Sequence, residues 1–101
     1  MTIKQKALAH YDRMIRWASK QNPRGKVFSD IMKDAIGEIW SSMDCSYCNK
    51  YGDNDCEKCP LSNEKNGLCC DGLYRKMFFS KSWKTWIKRA KEVRKYIKEN
   101  G

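Results

Sequence analysis

Histidine occurs once in this chain, at His10, and that scarcity removes most of the chemistry that depends on imidazole. No zinc-catalytic histidine motif can be assembled, and neither a glycine-rich phosphate loop nor a nucleophile elbow is present. The expectation is therefore that the protein is not an enzyme and has no small-molecule substrate. His10 itself lies at the margin of an apolar helix face; it reads as a surface or margin residue, with a fourth metal ligand and a catalytic base as the other two readings. Long apolar runs are equally absent. The densest, Met77-Phe78-Phe79, is flanked by lysines, and nothing approaches the roughly 18 residues that a membrane-spanning helix needs. The opening Met1-Thr2-Ile3-Lys4-Gln5-Lys6 runs directly into an amphipathic pattern without an apolar stretch or a small-residue cleavage site, so secretion is not expected and a cytoplasmic location is. There is no internal repeat and no low-complexity tract.

What is present begins with charge. Twenty-one Lys and Arg face 12 Asp and Glu, a formal net charge of +9. The excess is uneven: residues 1–43 carry a net +4, residues 44–72 a net −3 and residues 73–101 a net +8. Partner-facing positive charge thus concentrates at the C-terminal end. A chain of 101 residues fits one domain, 1–101, and at this size only about 60 to 65% of the unfolded surface can be buried. Domains this small often need a metal or disulfides as further support.

Apolar periodicity divides the chain. Ile3, Ala7, Tyr11, Met14 and Ala18, with Leu8 and Ile15 alongside, form one face of a helix over about Thr2 to Lys20. Asn22-Pro23-Arg24-Gly25 stops it. A second helix is expected from Ser29 or Asp30, either of which can cap a first turn, with Ile31, Met32, Ala35, Ile36, Ile39, Trp40 and Met43 as its apolar face. On its polar side Asp30, Asp34 and Glu38 recur every four residues; a solvated or salt-bridged stripe is the expected reading and a divalent-cation site the other. After a short helical stretch around Leu73 to Phe79, a last helix over about Ser82 to Glu99 has Trp83, Trp86, Ile87, Ala90, Val93 and Ile97 as its apolar positions. The two tryptophans are expected in the core, with stacking on unpaired bases as the alternative.

Between these helices, Asp44 to Asp71 lacks periodicity and is rich in Asn, Asp, Gly and Lys, so it reads as loops and turns. It contains Cys45-x2-Cys48-x7-Cys56-x2-Cys59-x9-Cys69-Cys70. Two residues between cysteines let a tight turn aim both sulfurs at one ion, which is why the C-x2-C unit recurs in tetrahedral zinc sites. The simplest ligand set is Cys45, Cys48, Cys56 and Cys59, with Cys69 or Cys70 as substitutes for one of the four. Six thiols with no histidine partner point to a structural zinc ion rather than a catalytic one. An iron-sulfur cluster, disulfides and free thiols remain the other readings. Pro60 fixes the chain's exit from the second pair.

Cys45-Ser46-Tyr47-Cys48, then Cys56-Glu57-Lys58-Cys59-Pro60-Leu61, then Cys69, resembles the cysteine core of small uncharacterised cysteine-rich proteins of phages and prophages. The resemblance covers residues 45–70, a matter of spacing more than of sequence. It implies a metal-binding accessory protein of a virus or mobile element, working in the host cytoplasm, and transfers no catalytic residue.

Lys81, Lys84, Lys88, Lys91, Lys95 and Lys98 alternate at three and four residues along the last helix. The row is offset from the apolar stripe by about one residue, roughly 100° around the helix, and spans about 25 Å. Such a row is placed to follow a phosphate backbone, with weak selectivity because lysine lacks the planar fork of arginine. Arg75, Arg89 and Arg94 are the better candidates for directed contact. A solvated face, an acidic protein surface and a membrane headgroup layer are the competing readings. The sequence thus predicts an all-α fold, two N-terminal helices (1–43) and a basic C-terminal helix (73–101) joined by an irregular zinc-binding cysteine loop (44–72). The leading function is nucleic-acid binding, mainly to phosphate. The alternative is a phage or mobile-element accessory protein that binds and inhibits or otherwise modulates a host complex, such as a nucleic-acid-handling or defence enzyme.

Overall fold

A computed structural model describes residues 2–40, 46–47, 62–63, 68–69 and 73–100. The protein is mostly helical: α1 is Ile3–Ala18, α2 Ser29–Ile36, α3 Leu73–Phe78 and α4 Trp83–Asn100. Helix α1 starts where Thr2 closes a capping box. The Gln5 amide donates to the Thr2 hydroxyl at 3.1 Å and the Thr2 amide donates to the Gln5 side-chain carbonyl at 2.9 Å. Its inward face, Ala7, Tyr11, Met14 and Ala18, follows the spacing expected, and so does that of α4, where Trp83, Trp86, Ala90, Val93 and Ile97 are buried. These two stripes pack against each other, and α3 adds the fully buried Met77. Across the outer part of the α1–α4 contact, Arg94 donates to both carboxylate oxygens of Asp12, at 2.6 and 3.2 Å.

The turn after α1 is built by Asn22, whose side-chain oxygen accepts from the Arg24 amide at 3.0 Å and whose carbonyl accepts from the Gly25 amide at 2.8 Å. This turn then serves a helix nearly sixty residues later. The Gly25 and Pro23 carbonyls accept from the Trp83 and Lys84 amides, at 3.1 and 3.0 Å, and Lys26 forms an antiparallel bridge with Ser82. Two of the four amides that the first turn of α4 leaves without intrahelical partners are satisfied by backbone from the other end of the chain.

Helix α2 departs from expectation in three respects. It begins at Ser29, as expected, but Phe28 is the residue at its cap, so neither Ser29 nor Asp30 caps it. It stops at Ile36 because Gly37 adopts φ 75°, a conformation open to a residue without Cβ, and the Gly37 amide returns to the Lys33 carbonyl at 2.9 Å. Only Met32 of its own residues is fully buried, while Ile31 and Ala35 face outward. Ile36 and Ile39 pack at the edge of the core, Trp40 enters it beyond the helix end, and Met43 lies outside the described residues.

Four tryptophans cluster together, three of them buried in the core and Trp17 packed at its edge. Trp83 meets Trp17, Trp40 and Trp86 at ring-centroid separations of 5.3, 6.1 and 5.7 Å, and Trp40 meets Trp86 at 5.1 Å. The three contacts of Trp83 are near-perpendicular and place ring edges on ring faces, as the quadrupoles favour, while Trp40 and Trp86 are tilted at 55°. Trp83 and Trp86 are therefore spent on packing, and base stacking by either is ruled out. The Trp86 indole N–H is buried without an acceptor among the described residues, a cost of roughly 1–3 kcal/mol that the surrounding burial offsets.

In the cysteine segment, read from the sequence as loops and turns throughout, the described residues include a two-residue antiparallel ladder. Ser62–Asn63 (β1) pairs with Leu68–Cys69 (β2), Ser62 opposite Cys69 and Asn63 opposite Leu68. Four residues separate the strands, a common hairpin loop length. Among the described residues no helix is long and apolar enough to cross a membrane.

Candidate functional site

The lysine row on α4 follows from the same periodicity that builds the core. With 3.6 residues per turn, the alternating three-and-four spacing keeps Lys84, Lys88, Lys91, Lys95 and Lys98 on one side of a helix whose other side faces α1 and α3. Lys81 lies just before the helix. All six are exposed, and among the described residues none of their ammonium groups is engaged in an ion pair or hydrogen bond. The arginines are placed differently. Arg94 is held by Asp12 on α1, and Arg89 donates to both oxygens of Glu92 at 3.3 and 3.4 Å, so both guanidinium groups already have carboxylate partners. Arg75 lies on α3.

The end of the row next to the Lys26–Ser82 bridge carries apolar surface. Phe78 and Phe79 are 55% and 65% exposed and meet edge to face at 5.3 Å. Phe28 is 51% exposed, with the Lys26 ammonium over its ring at 5.8 Å, a weak cation–π contact. Met77 of the same apolar run is fully buried, so the run splits between core and surface. The sequence marks Met77-Phe78-Phe79 as an apolar run at the end of a short helical stretch; which of the three turns inward depends on where that short helix meets α4.

His10 departs from its sequence reading, whereas Glu38 is salt-bridged, as one form of its reading has it, but to partners on α1. His10 is buried, only 3% exposed, and its Nδ1 lies 3.0 Å from the Glu38 carboxylate, which also accepts from Arg13 Nε at 2.8 Å. A buried, hydrogen-bonded structural residue replaces the surface or margin residue expected. Glu38 lies beyond the end of α2 and is committed to α1, so it does not join the exposed Asp30 and Asp34 in a carboxylate stripe. Among the described residues no group of three or more His, Cys, Asp or Glu is placed to hold a metal.

Of the predicted metal ligands, Cys45, Cys48, Cys56, Cys59 and Cys70 lie outside the described residues, and Cys69 lies on β2. The two residues inside the first cysteine pair are described. Ser46 donates its hydroxyl to the Ile3 carbonyl at 2.6 Å, and Tyr47 is buried in the core. Both have helical backbone. The chain between Cys45 and Cys48 is thus tied to the start of α1 by the Ser46 hydrogen bond and to the core by the buried Tyr47 ring. Comparison with protein families, curated proteins and solved structures returned no match to this chain.

Proposed function

We propose that this protein binds nucleic acid along α4, through phosphate contacts made by Lys81, Lys84, Lys88, Lys91, Lys95 and Lys98. In the same reading a metal ion orders the segment between the helices. Zinc on Cys45, Cys48, Cys56 and Cys59, with Cys69 or Cys70 standing in for one of them, is preferred over an iron-sulfur cluster. The observation that carries the first part is the contrast in how the cations are used: two arginines of α4 are consumed by carboxylates of the fold, whereas the six lysines are exposed and have no such partner among the described residues.

Lysines engage phosphate as mobile point charges, so contact along the row is sequence-tolerant and driven by release of condensed counterions. Six such contacts weaken duplex binding by about a thousandfold between 50 and 200 mM salt. Replacing Lys84, Lys88 and Lys91 by Glu leaves the core untouched and is expected to lower affinity at least tenfold, measured by fluorescence anisotropy over a salt series. An affinity indifferent to salt and to these substitutions rejects the reading.

A further inference from the structure

We infer that the nucleic acid bound is single-stranded, and that Phe28, Phe78 and Phe79 stack on its unpaired bases at the N-terminal end of the lysine row. This rests on the phosphate-contact reading above and specifies its substrate. Three observations lead to it. The three aromatic rings are each more than half exposed, whereas the other large apolar side chains of described burial, Ile31 apart, are buried or partly buried, and Phe78 and Phe79 lie edge to face. They sit where α4 starts: Phe79 is three residues from Ser82, at most about 11 Å along the chain, and Lys26, bridged to Ser82, is two residues from Phe28. The charge around them is positive, with Lys26, Lys76 and Lys81 all exposed. A row of cations for the backbone, ending in exposed aromatic rings for the bases, is how sequence-tolerant single-strand binding is built, because every base has a π face. A duplex offers its phosphates to the lysines but leaves the phenylalanines without a base to stack on.

An anionic membrane surface is the competing partner for exposed aromatics among lysines. An amphipathic helix binds such a surface by burying its apolar face in the headgroup region. In α4 that face is occupied, since Trp83, Trp86, Ala90, Val93 and Ile97 are buried within the fold. The exposed apolar surface beside α4 is confined to a few side chains, which suits stacking better than insertion.

The test measures affinity of the full chain for a 20-nucleotide single strand and for its duplex at one salt concentration, with phosphatidylserine vesicles as a third ligand. The variants are Phe78→Ala/Phe79→Ala, Phe78→Trp/Phe79→Trp, Phe28→Ala and the Lys84, Lys88 and Lys91 to Glu triple. Expected are preference for the single strand and a loss of about 5- to 150-fold per stacking ring removed. The alanine variants should keep the wild-type affinity for duplex, and the tryptophan pair should keep the wild-type affinity for single strand. Thermal unfolding shows that each variant is folded. Equal single-strand and duplex affinities that the phenylalanine variants leave unchanged, with the lysine triple still defective, overturn stacking and keep the phosphate reading. Loss of vesicle binding alone in the phenylalanine variants also overturns it. Indifference of the lysine triple overturns both.

Discussion

Burial in the cleft between α1 and the end of α2 pushes the Glu38 carboxyl up, while hydrogen bonds and charge from Arg13 and His10 pull it down. The balance holds it below its ordinary value of 4.5. A depressed carboxylate adds stability that is complete above its unfolded value and is lost as pH falls through the folded one. Glu38→Gln, which removes that charge but keeps the shape, is expected to cost about 1–2 kcal/mol at neutral pH. Urea denaturation should show the gap to wild type narrowing below about pH 4.5, as the carboxyl protonates first in the unfolded chain and at lower pH in the native one. A gap of the same size at pH 7 and pH 3 contradicts the account. Nothing in the spacing of residues 30, 34 and 38 distinguishes this role from a solvated stripe, because the partners, His10 and Arg13, are brought to Glu38 only when the chain turns at Gly37.

Among the elements, α4 depends most on a distant segment. Its first-turn amides are received by carbonyls of Pro23 and Gly25, and Gly25 lies so close that a Cβ there would stand 3.0 Å from the Asn22 carbonyl oxygen and 3.3 Å from the Trp83 ring. Gly25→Ala therefore pushes the turn off the helix end. Against the modest gain from restricting the unfolded chain, the expected net loss is about 1 kcal/mol, read by circular dichroism as a fall in melting temperature of about 4–8 °C. An unchanged or raised melting temperature shows that the turn yields without releasing α4. The interior stripes of α1 and α4 were legible in the sequence because helical periodicity alone selects one face. The end of α2 was not: seven apolar residues up to Met43 fit one helical face as a pattern, and it took a left-handed glycine to end the helix early.

At the scale of the whole molecule, charge divides the chain into a net −3 cysteine segment flanked by basic helical segments, and the metal reading follows from that segment's poverty in apolar residues. If a metal ion orders it, the buried Tyr47 and the Ser46 hydrogen bond to Ile3 couple the ion to the helical core. The purified chain is then expected to hold about one equivalent of bound metal; a chelator, or Cys56→Ser, should lower the melting temperature by roughly 10 °C or more. Elemental analysis and absorbance distinguish the ions, since zinc is colourless and an iron-sulfur cluster is not. A metal-free chain with an unshifted melting temperature rejects the centre.

By itself the sequence determined the helical class, the inward faces of α1 and α4, and the continuity of the lysine row, since each depends on spacing within one helix. It also determined the cysteine pattern, whose ligand set no described contact decides. Only the tertiary structure decided which cations are available to a partner, because the carboxylate that engages Arg94 lies eighty-two residues away on another helix. It likewise decided that Met77 turns inward while Phe78 and Phe79 stay outside, and that His10 is buried. Periodicity states which residues share a face; what that face meets is set by where the rest of the chain comes to lie.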